Sequence, residues 1–186
     1  DTLQYLVKIS PEHISAYSLS IEEGTEFYNM YKSGTLKLPE DSEERRMYHE
    51  ALSFLKLNGY EHYEISNFAR PKKYSRHNLT YWKAEEYLGL GAGAHSYLDG
   101  VRFNNITSPK EYIKLISQNR SPIENKTIIT KNEQMAEFCF LNLRLIQGIN
   151  KDAFSKRFGM AITEVYGNSI DKLKNKGLLE ENDTYI

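Results

Sequence analysis

"EYLGLGAGAHSYLDGVRFNN", residues 86–105, decides how the chain is read. Gly89, Gly91 and Gly93 alternate with Leu88, Leu90, Ala92 and Ala94, a period of two that reads as a strand with one bare face, ending at His95. Glycines on one strand face let another group approach the backbone closely. Two occupants stay open: a helix packed on the glycines, or a flat ligand such as an adenine or a porphyrin. The pattern is G-x-G-x-G in a strand, not G-x-G-x-x-G opening a helix, so no phosphate-cradling loop is expected. Asp99-Gly100 between apolar flanks predicts a tight hairpin.

Upstream, "HISAYSLSIE" (13–22) alternates and predicts a buried strand. "EEGTEFYNMYKSG" predicts a short helix ending near Gly34. "DSEERRMYHEALSFLKLNGY" predicts an amphipathic helix capped by Asp41 with Glu44. Its apolar stripe is Met47, Ala51, Phe54 and Leu55, and Gly59 stops it. "EHYEISNFA" (61–69) reads as a strand running into a loop. Residues 1–105 therefore read as part of an α/β sheet.

Downstream, Ser108, Pro109 and Glu111 open one helix, and Thr130 with Glu133 open another that is expected to run to Gly148. Met135, Phe138, Leu141 and Leu145 give the second a core face. "NKDAFSKRFG" predicts a short helix and "AITEVYGNSIDKLKNKG" a third. "LLEENDTYI" reads as two strand ends around Asn182-Asp183. Residues 106–186 thus outline a mostly helical, winged-helix-like domain, truncated at its end.

Composition narrows the classes. Of 186 residues, 40% are hydrophobic and 26% charged, with a formal net charge of -1, as in a soluble globular protein. No apolar run approaches the roughly 20 residues that span a bilayer. "DTLQYLVKIS" shows no leader, and the absence of an initial methionine is expected of a piece of a longer protein. The single cysteine, Cys139, forbids an internal disulfide and suits the cytoplasm. A winged helix invites a DNA-binding reading, with the recognition helix at 162–176. Residues 131–186 carry eight Lys/Arg and eight Asp/Glu, without the basic footprint of a DNA binder, so no DNA partner is expected. The five histidines show no metal-ligand spacing.

"SRHNLTYW", residues 75–82, gathers imidazole, amide, phenol and indole. If helical, His77 and Tyr81 share a face at i, i+4. If extended, His77, Leu79 and Tyr81 share one. An imidazole is an ordinary axial ligand of heme iron, and aromatic rings stack on a macrocycle. The bland reading is a loop-to-helix junction anchored by Tyr81 and Trp82.

"HISAYSLSIEEGTEF", "YEISNFARP", "SRHNLTYW" and "YLGLGAGAHS", in that order, resemble the oxygen-independent coproporphyrinogen III oxidase family of radical-SAM proteins, above all its heme-chaperone branch. The resemblance implies a partial (β/α)6 barrel holding a [4Fe-4S] cluster and S-adenosylmethionine. Three cysteines in C-x-x-x-C-x-x-C would bind the cluster. Neither that motif nor the family's glycine-rich SAM element is in this sequence. The chain therefore resembles the C-terminal half of the family protein, with no catalytic or metal-ligating residue of its own, expected to be inactive alone.

By the same resemblance, Ser18 and Ser20 end the last barrel strand and border SAM. Ala94 and His95 end the strand beside the adenine. His77, Asn78, Tyr81 and Trp82 match the chaperone branch's heme-binding H-N-x-x-Y-W motif, which the true oxidases are not expected to show. The implied role is to bind heme and pass it to a recipient hemoprotein. The alternatives are oxidative decarboxylation of porphyrinogen propionates, or a structural and interaction part without activity.

Overall fold

A computed structural model describes residues 2–186. The chain divides into two compact units, one up to Ser75 and the other Arg76–Ile186. Both mix helices with small antiparallel sheets, in keeping with the expected α/β class.

The first unit contains α1 (Thr2–Ile9), β1 (His13–Ser15), α2 (Glu26–Lys32), α3 (Asp41–Leu57), β2 (Glu61–Glu64) and β3 (Asn67–Ala69). The sheet order is β1-β3-β2. Ile14 faces Phe68 across one ladder and His62 faces Phe68 across the other, both antiparallel. Ile14, Leu55, Tyr60 and Phe68 form the core, and Leu3, Leu6 and Val7 of α1 pack onto it. "EHYEISNFA" is thus a hairpin of two strands with a bulge, not one strand entering a loop.

The strand expected at 13–22 stops at Ser15. β3 is only three residues long, and Ser15 already faces its first residue, Asn67. One more bond, from the Ala16 N–H to the Ser66 carbonyl at 2.8 Å, completes the pairing. Tyr17 and Leu19 beyond it are exposed, so the expected burial of this stretch holds only for its first part.

α3 matches its expected span, but its cap differs. Glu40 is the N-cap and makes no side-chain cap bond. Asp41 lies inside the first turn with Glu43 and Glu44, where the carboxylates act on the helix dipole instead. Met47 is exposed. A 17-residue helix is about 25 Å long, whereas strands of three or four residues reach only about half as far. The first turn of α3 therefore extends past the sheet, while Tyr48 reaches it through His62 and the Ile65 carbonyl and the C-terminal turns pack on it through Leu55. Arg70 locks that end: its guanidinium lies 4.1 Å from the Tyr60 ring centroid and donates to the Asn58 carbonyl at 2.6 Å and Ser10 Oγ at 2.9 Å.

The second unit contains α4 (Arg76–Trp82), β4 (His95–Leu98), β5 (Val101–Asn105), α5 (Pro109–Ser117), β6 (Ile123–Ile128), α6 (Lys131–Asn142), α7 (Lys151–Phe158) and α8 (Ile162–Asn175). Asp99 (φ 48°) and Gly100 (φ 72°) both adopt the left-handed conformation that a two-residue hairpin needs, as expected. β6 was not expected. "IENKTI" is polar and exposed along nearly its whole length, as suits an edge strand. It pairs with β5 from Val101 to Asn105. The sheet β4-β5-β6 therefore runs across both sides of residue 105, within the second compact unit.

The helical part builds its core from Met135, Phe138, Ile149, Phe154, Phe158, Ile162, Ile170 and Ile186. The Phe138, Phe154 and Phe158 rings sit 4.8–5.7 Å apart, within the range of favourable aromatic pairs. Thr130 and Glu133 form the expected capping box on α6. α6 ends at Asn142, short of Gly148. The C-terminal tail does not form the expected wing from residues 178–186. Ile186 instead exchanges two backbone hydrogen bonds with Ile149, at 2.7 and 3.0 Å, after a turn over Asn182–Tyr185.

Glu181 clamps this tail, accepting from Lys151 Nζ at 2.8 Å and Lys174 Nζ at 2.5 Å. The two ammonium groups hold its carboxyl down at about 2, against 4.5 ordinarily. A depressed carboxyl stabilises the folded state above its unfolded pKa and stops doing so as pH falls through its folded one. The thermal midpoint should therefore drop as pH falls from about 4.5 to about 2. Glu181→Gln should flatten that part of the pH profile in a calorimetric or circular-dichroism melt.

Candidate functional site

"SRHNLTYW" enters the structure as α4, so His77 and Tyr81 stand one turn apart on one face. Their rings meet edge to face at 4.8 Å. Tyr81 continues onto the Tyr87 ring at 4.6 Å. The result is a short aromatic column with an imidazole at its outer end. His77 is exposed, and neither ring nitrogen has a hydrogen-bond partner among the described residues, which leaves both open to a metal. Asn78 and Trp82 are half-buried on the neighbouring helix face. The Arg144 guanidinium lies over the Trp82 ring at 4.5 Å.

Tyr87 is placed by the glycine stretch, which is not the strand its alternation suggests. Residues 88–94 form an irregular loop, with Gly91 at φ 105° and Gly93 at φ 69°. The strand begins, rather than ends, at His95. Gly89 passes so close to the next strand that a Cβ on it would lie 2.1 Å from the His95 carbonyl oxygen. This approach lets Tyr87 and Tyr97 exchange two backbone hydrogen bonds at 2.9 Å. Buried Asn105 holds the loop from below, donating from Nδ2 to the Gly91 carbonyl at 2.9 Å, while its own N–H donates to the Ala94 carbonyl at 2.9 Å. The bare backbone at Gly89 thus receives the chain itself, at the His95 carbonyl. Leu88 and Leu90 are left exposed.

The other expected site residues are less organised. Ala94 is half-buried in the loop, and His95 is exposed at the first position of β4. In the first unit, Ser18 and Ser20 are exposed on the irregular segment after β1. Just before them lies a polar cluster that sequence reading missed. Glu64 is fully buried, accepting from Asn67 Nδ2 and, at 3.4 Å, from the Ser66 N–H. Asn67 Oδ1 accepts the Ser15 hydroxyl at 2.5 Å. "YEISN" carried the only hint, in a charged residue flanked by apolar ones.

The residues present do not fit an iron-sulfur cluster. Cys139 is the sole cysteine, and burial pushes its thiol up to about 11. Among the described residues no three His, Cys, Asp or Glu side chains come together as a metal site. Heme fits differently. The cavity beside Tyr81, lined also by Tyr87, Tyr97, Arg102 and Glu137, measures about 170 Å³, below the roughly 300 Å³ where ligand pockets begin. A cavity of this size does not hold a porphyrin, and His77 itself lies on the exposed surface of α4.

Three comparisons place the chain. Residues 129–186 match the HemN C-terminal domain. Over 97% of its length the chain is 38% identical to the heme chaperone HemW of Bacillus subtilis, and over 95% it is 37% identical to that of Lactococcus lactis. The chain belongs to the HemN/HemW family. It covers 48% and 46% of those two relatives, so it spans about half their length. It also shares its fold with Escherichia coli HemN, described as a coproporphyrinogen III oxidase and radical SAM enzyme. The TM-score is 0.70 at 14% identity, covering 98% of this chain and 45% of that one. Among the described residues no helix is long and apolar enough to cross a membrane.

The close approach at Gly89 predicts a local penalty. Gly89→Ala should destabilise the chain by about 1–3 kcal/mol through overpacking against backbone that cannot yield. Gly167→Ala, on α8 with nothing near the added carbon, should instead stabilise by up to about 1 kcal/mol. Denaturant melts of the two variants read both signs.

Proposed function

We propose that this chain is the C-terminal part of a radical-SAM heme chaperone, and that α4 supplies its contact to heme. The observation that supports this is the outward-facing imidazole of His77, backed by Tyr81 and Tyr87, with both ring nitrogens unengaged. An exposed ligand suits a protein that must give heme up, because a transferable macrocycle cannot be sealed in a deep pocket. The packing of Tyr81 restricts the rotation of the imidazole and so limits the entropy lost on ligation.

In this reading His77 ligates iron, while Asn78, Tyr81 and Trp82 support the helix surface that carries it. The segment that carries Ser18 and Ser20 follows the last strand of a partial (β/α)6 barrel, and with Ala94 and His95 it borders the SAM site of the whole protein. The helices Lys131–Asn142, Lys151–Phe158 and Ile162–Asn175 form a winged-helix-like module that serves structure or partner contact rather than DNA. The cluster and SAM chemistry belong to residues outside this chain. When present in the whole protein, they would supply reductive SAM cleavage. The protein would act in the cytoplasm and hand heme to a recipient hemoprotein. Coproporphyrinogen III oxidation, by decarboxylation of its propionates, is the second reading. The higher identity to the chaperones favours the first.

Hemin titration of the 186-residue chain, followed in the Soret band beside His77→Ala, tests the proposal. A saturable shift that His77→Ala abolishes or weakens at least tenfold is expected. No shift, or one indifferent to His77, would remove the site from α4.

A further inference from the structure

Arg144 is out of place in its surroundings. It follows α6 in "LNLRLIQG", with Leu143 and Ile146 exposed around it. Its guanidinium is half-buried and covers the Trp82 ring at 4.5 Å. Arg144 Nε is buried and has no acceptor, and Trp82 Nε1 beneath it is likewise buried without one. The other half-buried arginines are served. Arg102 makes a two-pronged pair with Glu137 at 3.1 and 2.8 Å, and Arg70 donates to Asn58 and Ser10. No salt bridge reaches Arg144 among the described residues. A buried donor left unpaired costs stability, so two together mark a place where an acceptor belongs.

The chemistry of that acceptor follows from the donors. A guanidinium offers a planar fork that matches a carboxylate. Stacking on Trp82 holds the fork in one plane before anything binds, which lowers the entropy cost of ligation. A porphyrin carries its carboxylates at the rim, away from the metal. An iron ligand and a carboxylate clamp therefore belong on adjacent faces rather than the same one. α4 has this arrangement: His77 on one face, and Trp82 with its Arg144 cover on the next.

We propose that Arg144, stacked on Trp82, is a carboxylate-binding residue that takes a propionate of the porphyrin. The inference rests on the heme-contact reading of α4 and adds a second, metal-independent anchor to it. It would also make binding select for a macrocycle with free carboxylates.

The test compares hemin with hemin dimethyl ester, whose propionates are blocked, on the full 186-residue chain, Arg144→Ala and Arg144→Lys. Soret absorbance and the emission of Trp82, the single tryptophan, follow binding. Hemin should bind the unaltered chain roughly tenfold or more tightly than the diester, the span of one charge-assisted hydrogen bond. Arg144→Ala should bind both equally, at the weaker value. Arg144→Lys keeps the charge without the fork and should recover part of the preference. Equal binding of hemin and diester by the unaltered chain would overturn the inference, and needs no variant to fold. In that case a shift lost in His77→Ala would still stand, so the iron contact would survive without the clamp. Absence of any saturable hemin binding would remove both.

Discussion

The bare backbone of Gly89 against the His95 carbonyl is the contact on which the candidate site depends. A side chain there would collide with backbone at 2.1 Å. Without one, the chain entering β4 runs flush against it, and Tyr87 pairs with Tyr97. That pairing fixes the Tyr87 ring, which fixes Tyr81, which in turn positions His77 on the surface of α4. A short helix of seven residues has little stability of its own, so its orientation is borrowed from the strand pair next to it.

The two faces of α4 carry different chemistry because of what packs against each. Tyr81 lies against Tyr87 and lines a cavity too small for a large ligand. Trp82 lies beneath the Arg144 guanidinium, which no carboxylate neutralises among the described residues. In the proposed reading, an imidazole contact and a carboxylate clamp would lie side by side on the surface around one helix.

The rest of the second unit supplies rigidity rather than chemistry. Three phenylalanines and the returning Ile186 close its core. The tail is held by backbone bonds to Ile149 and by the Lys151–Glu181–Lys174 group. Cys139, with its thiol pushed up by burial, is a packing residue here. Its low thiolate fraction makes it a poor nucleophile or metal ligand.

What the sequence determined by itself was local. The caps at Ser108 and Thr130, the stops at Gly34 and Gly59, the Asp99-Gly100 turn and most helix spans follow from neighbouring residues, because hydrogen bonds that close within a few positions are decided within a few positions. The order of its motifs also identified the family. The tertiary structure alone decided what required distant partners. Strand β1 is short because β3 has no more residues to pair with. Alternating glycines formed a loop because Asn105 and Ile106 captured its backbone. Polar β6 became a strand because β5 offered an open edge. Arg144 could be recognised as a candidate only once Trp82, sixty-two positions away, was seen beneath it. Periodicity records which way a side chain would point, but the pairing partner, often far along the chain, determines whether there is a sheet for it to point from.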